Sequence, residues 1–161
     1  MKSKICFLML IIFPLGLASC ESGNKTTDKP ESLILKLYEV HQPQKGKEIA
    51  FDDDKTLGRY FTQELTALFL RNEECVKRTH EVCNLDMDPI FDAQDYDDSP
   101  LNLEVKEISS KQSILRFSVT LTNLGRRTLI YEMSKTKSGW RISDIVYPSK
   151  NRLTELLSQP E

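Results

Sequence analysis

The sequence has no CxxC pair, no apolar run long enough for a comfortable membrane span, no internal repeat and no excess of basic charge. Each absence excludes a class. Without CxxC spacing there is no zinc ribbon. The longest apolar run, Ile5 to Leu17, falls short of the roughly 20 residues that a spanning helix needs. Lysine and arginine total 22 against 24 acidic residues, a balance that does not suggest a nucleic-acid partner.

What is present begins with an address. In "MKSKICFLMLIIFPLGLASCES", Lys2 and Lys4 form a charged start, an apolar stretch of signal-peptide length follows, and small residues close it. "LASC", ending at Cys20, resembles the lipobox of bacterial lipoproteins, in which the chain is cut before the cysteine and the cysteine takes lipid, palmitate included. The expected partner of Cys20 is therefore the membrane, and each buried CH₂ adds about 0.8 kcal/mol to the anchor. Glu21 stands where the inner-membrane retention signal has aspartate, so in a Gram-negative host the outer membrane is favoured, with the domain facing the periplasm.

This reading divides the chain into a signal at 1–19, a tether at 20–29 that is polar throughout, and a single domain at 30–161. Loss of Lys2 and Lys4 leaves 20 basic against 24 acidic residues in a chain of 142. That length is enough for one domain with a real core.

Once Cys6 leaves with the signal and Cys20 takes lipid, Cys75 and Cys83 remain. In an oxidising compartment a disulfide is the default. Continuous helix would hold their Cα atoms about 12 Å apart, too far to bridge, so a bonded pair requires the helix to break between them. A zinc site with His80 lacks a convincing fourth ligand, and a catalytic thiol lacks a recognisable base.

Helices come first. Pro30 suits a first helical turn, and Leu33, Ile34, Leu37, Tyr38 and His41 recur at helical spacing, with His41 read as a structural histidine. Leu57, Tyr60 and Phe61 are placed on one short helix. Thr62 is read as the N-cap of another, with Leu65, Leu68, Phe69 and Asn72 buried. After Pro100 the period becomes 2 over four strands, with "TNLGR" and "TKSG" as turns and Gly125 and Gly139 free to take positive φ. Pro148 and Ser149 stop the last strand, and Leu153, Leu156 and Leu157 mark a terminal helix.

This is an α+β plan in which N-terminal helices pack on a curved four-stranded antiparallel sheet. The order of elements resembles the nuclear-transport-factor-2-like cone. The runs "LGRYFTQELTALF", "LDMDPIFDAQDYDD" and "GWRISDIVY" resemble the bacterial domain of unknown function 3828, found in envelope lipoproteins. That resemblance implies a fold and a location, and no established chemistry.

The acidic run Asp86 to Asp98 departs from an EF-hand loop, because Ile90 and Phe91 stand where the third ligand and the glycine belong. No metal or cofactor is expected. Asp88, directly before Pro89, suits an N-cap over a short helix whose Ile90 and Phe91 turn inward. Gln94 and Asp95 would satisfy backbone groups at its far end, and Asp97 and Asp98 would face water. The other reading makes these residues part of a polar rim around a ligand or partner.

Strict alternation sends Trp140, Ile142 and Asp144 to the core side. Either a bulge turns Asp144 out, or it is buried with an arginine such as Arg116, or it serves as a proton-transfer base inside the cone, as in ketosteroid isomerases. Asp88, Gln94, Asp95, Trp140, Asp144 and Tyr147 are thus the candidate rim. The leading function is a non-enzymatic module that binds a protein in the envelope, as accessory to a complex or as an immunity-type partner. A periplasmic binder of a small ligand is the second reading, and a small isomerase or hydrolase using Asp144 the third.

Overall fold

Pro30 opens α1 (Pro30–Val40), where a proline costs no hydrogen bond because the first amides of a helix have no intrahelical partner. The structure, a computed structural model, describes residues 29–95, 100–111, 113–122 and 125–160. Cys20, Asp97 and Asp98 lie outside the described residues, as does the proposed signal. Along α1, Ile34, Leu37 and Tyr38 are fully buried.

The next helix is shorter than its spacing suggests. α2 (Asp54–Leu57) is capped by Asp53, whose side chain accepts the Thr56 amide, and it stops at Gly58. Tyr60 and Phe61 are not on it. A turn carries them off it, both amides donating to Leu57 O, and Phe61 then bridges the last strand, with the Ile142 amide donating to Tyr60 O at 2.8 Å and the Thr62 amide to Ile142 O at 2.9 Å. The reason is an edge: pairing there satisfies main-chain groups that a longer helix would leave open.

α3 (Gln63–Thr79) starts where expected, with Thr62 Oγ1 accepting the Leu65 amide. Its buried stripe is Leu65, Thr66, Phe69, Asn72 and Cys75, and Leu68 is half-buried. His80 takes left-handed φ of 59° and ends it. The chain then doubles back, and Cys75 and Cys83 are bonded with Cα atoms 6.3 Å apart.

The sheet is antiparallel in chain order: β1 (Leu103–Lys111), β2 (Ile114–Leu121), β3 (Arg127–Thr136) and β4 (Gly139–Val146). Gly139, at φ 102°, makes the last hairpin turn. Phe117, Val119, Leu129, Tyr131, Met133, Ile142 and Ile145 bury one face against the helices, each stabilising the fold by about 1.5 to 3 kcal/mol. A short α4 (Leu153–Leu157) docks on α3 and β4 through Leu153 and Leu157. The class is α+β. Among the described residues, no helix is long and apolar enough to cross a membrane.

Candidate functional site

The aspartate-rich stretch enters the fold. Asp88 Oδ1 accepts the amides of Ile90 at 2.7 Å and Phe91 at 3.0 Å, the capping role expected of it. The helix expected beneath that cap does not form. The Asp92 amide bonds Asp88 O, Asp92 takes φ of 55°, and the Asp88 amide then bonds Ala93 O. One closed turn results, because the left-handed residue reverses the chain before a second turn can start. Ile90 and Phe91 at its tip are fully buried.

Interior polar groups receive this turn. Asp88 Oδ2 lies 2.5 Å from His41 Nε2, and His41 Nδ1 accepts the Ile49 amide at 3.1 Å. That acceptor role puts the ring proton on Nε2, where it donates to Asp88. Tyr38 donates to Ile90 O at 2.7 Å, its hydroxyl lies 2.9 Å from that of Tyr131, and Tyr147 donates to Pro89 O at 3.0 Å. Burial, above all else, raises all three phenol pKa values far above their ordinary range. The space that a cone would offer a ligand is therefore filled by the chain itself.

Asp144 is not in that interior. On β3 and β4, Met133 pairs with Ile142 and Glu132 with Asp144, so Ser143 is an extra residue and the register shifts. This bulge turns Asp144 to the Glu132 face, away from Tyr131 and Met133. There its Oδ1 accepts the Ile145 and Thr154 amides, and its Oδ2 accepts Arg152 Nε at 2.7 Å and Thr154 Oγ1 at 2.9 Å. The cation is Arg152 and not Arg116, which pairs with Glu132 at 2.6 Å. Arg152 also reaches Glu132 at 2.6 Å. Burial works against the Arg152 cation, but bonds and charge from Glu132 and Asp144 outweigh it and raise its pKa. A carboxylate so occupied is a clamp on the start of α4, with no free lone pair placed for a substrate proton.

The remaining rim residues separate. Gln94 Nε2 donates to Asp86 O at 3.2 Å, so it does satisfy a backbone group, but on the entry side of the turn and not at the far end. Asp95 is exposed, and the residues after it, where its expected amide partners lie, fall outside the described residues. Both border a shallow cleft of about 450 Å³ with Asp86, Asp92 and Arg127. Trp140 is half-buried and packs against the core, the side expected of it, with Lys135 Nζ 5.2 Å from its ring centre. The structure thus brings Asp88 and Tyr147 together, sets Gln94 and Asp95 outside the same turn, and puts Trp140 and Asp144 elsewhere.

A groove of about 490 Å³ lies beside the disulfide, between α3 and the strand of chain leading into the turn. Phe51, Val76, Leu85 and Met87 give it an apolar floor, and Glu48, Glu73 and Glu81 an acidic rim. Val82 stands over it 68 % exposed. Sequence reasoning passed over Val82, although an apolar residue inside a loop closed by cysteines eight apart has little chain to hide beneath.

Fold and site define a class: an α+β domain with an aspartate-capped turn packed into its interior and open grooves on its surface. No family model matches the chain, and no curated protein does. Among solved structures it is similar to a phospholipid-binding protein from Ralstonia solanacearum, solved with a phospholipid, at 14 % identity and a TM-score of 0.35 over 81 % of this chain and 69 % of that one. A likeness at that level says nothing of what this chain binds.

Proposed function

We propose that this protein is a non-catalytic protein-binding module of the bacterial envelope, anchored through lipid on Cys20 and facing the periplasm, at the outer membrane in a Gram-negative host. We assign it a nuclear-transport-factor-2-like fold related to the domain of unknown function 3828. The observation that carries the binding role is Val82, held 68 % exposed above an apolar groove by the Cys75–Cys83 bond. An apolar side chain displayed on a covalently closed loop is a preorganised contact, which lowers the ordering cost of association. The acidic rim of Glu48, Glu73 and Glu81 selects the occupant: an apolar segment of a partner protein with basic flanks. The commitment of Asp88, His41, Glu132 and Asp144 to internal bonds supports a role without chemistry.

The test places a photo-crosslinking amino acid at position 82 of the full chain in its native envelope, with position 106 on the exposed side of β1 as control. An adduct of discrete mass from position 82 alone, weakened by Glu81→Lys with Glu73→Lys and lost from the membrane fraction in Cys20→Ser, is expected. Equal labelling from both positions, or fatty-acid labelling that survives Cys20→Ser, overturns the reading.

A further inference from the structure

At the opposite end of α3 a second groove, about 890 Å³, separates the α2–α3 junction from the tip of the β3–β4 hairpin. Its charge runs against that of the chain. Lys55, Arg59, Lys137 and Arg141 line it against two acids, Asp54 and Glu64, although the whole sequence is net negative. The N-terminus of the 17-residue helix opens here, and among the described residues the Gln63 and Glu64 amides have no partner. Such an end attracts anions through its free N–H groups and its dipole.

An independent observation comes from Thr66. It lines the groove, is only 3 % exposed, and its Oγ1 is buried with no hydrogen-bond partner. A buried hydroxyl left unpaired is costly and calls for an explanation. Arg141 is meanwhile pinned at the edge, donating through Nε to Gly58 O at 2.9 Å and through Nη1 to Trp140 O at 2.7 Å. A guanidinium fixed in this way has lost its rotamer freedom before any ligand arrives.

We propose that this groove binds a phosphate group, with the Gln63 and Glu64 amides, the Arg59 and Arg141 guanidinium groups and the Thr66 hydroxyl as its donors. The phosphate is either free or the headgroup of a lipid, since the chemistry recognised is the same. It is distinct from the partner groove beside the disulfide.

Calorimetric titration of the full chain with inorganic phosphate at low salt tests the free form. Co-sedimentation with phosphatidylglycerol vesicles, with phosphate as competitor, tests the headgroup. Saturable binding in either arm is expected, with Arg59→Ala weaker by about tenfold or more and exposed Lys106→Ala unchanged. Thr66→Val separates a site from a structural role: it weakens binding while raising the melting temperature, because it removes an unpaired buried hydroxyl. Binding in neither arm, or wild-type affinity in both Arg59→Ala and Thr66→Val, overturns the proposal.

Discussion

His41 and Asp88 stand 47 residues apart in the chain and 2.5 Å apart in the fold. The ring joins the end of α1, through the Ile49 amide, to the turn that fills the interior. Asp88→Ala removes a cap and leaves His41 and two amides without their acceptor, at a cost of about 2 to 4 kcal/mol. A fall in melting temperature of roughly 8 to 15 °C is expected for a domain of this size. His41→Ala should add little once Asp88 is gone, and additive losses in that double-mutant cycle would show that the two act separately. Millimolar calcium should leave the melting point unmoved, since N–H donors already occupy both Asp88 oxygens.

The three tyrosines that receive the turn make the fold sensitive to alkali. Their folded pKa values lie above the ordinary tyrosine value of 10.0 because burial opposes the phenolate. The sign follows: below that value neither state ionises, and above it the unfolded chain releases protons that the folded chain keeps, so stability falls as pH rises past about 10. Tyr147→Phe should cost about 1 kcal/mol at neutral pH by leaving Pro89 O unpaired and should flatten the alkaline loss. Phenolate absorbance from all five tyrosines before circular dichroism changes would contradict this.

Much of the scaffold was legible from spacing. Ile34, Leu37 and Tyr38 sit at helical intervals, and Phe117, Val119 and Leu121 alternate, because each set faces one continuous core. The Cys75–Cys83 bond was legible because the pair is what remains once Cys6 and Cys20 are set aside, and the break in the helix between them followed from the bond. What escaped depends on backbone events without a local signal. The left-handed turn at Asp92 converts an expected helix into a plug. Ser143 adds one residue to β4 and sends Asp144 to the other face. The Phe61–Ile142 pairing joins segments far apart in sequence. The candidate rim failed as a unit for the same reason, since its members were grouped by type and the turn and bulge then parted them.

Arg152 lies between two buried carboxylates that face each other in register, Glu132 and Asp144. Arg152→Met leaves Asp144 without its cation and Glu132 with Arg116 alone, at a cost of about 2 to 4 kcal/mol. Adding Asp144→Asn should return part of that loss by removing one of the facing charges. Denaturant midpoints of the single and double variants check this. A neutral Arg152→Met would mean that Arg116 and the Thr154 bonds suffice.

Asp92 offers the opposite case, a charge that the fold holds at a cost. Burial raises its carboxyl pKa, and the nearby Arg127 cation offsets only part of the effect. Above its folded pKa the native state carries an anion that burial penalises, and below its unfolded pKa both states are protonated and the penalty vanishes. The contribution of Asp92 therefore improves as pH falls through the window between those two values. Asparagine tolerates the left-handed φ of 55° that Asp92 adopts. The Arg127 guanidinium donates to the Asp92 main-chain oxygen, so the bond survives the substitution. Asp92→Asn should consequently melt above the wild type at pH 7, with the gain shrinking as the solution is acidified through the carboxylate range. Thermal melts of both proteins from pH 7 downward measure it. A variant that melts below the wild type at pH 7 would mean that attraction to Arg127 outweighs burial, and the sign assigned to this carboxylate would be wrong.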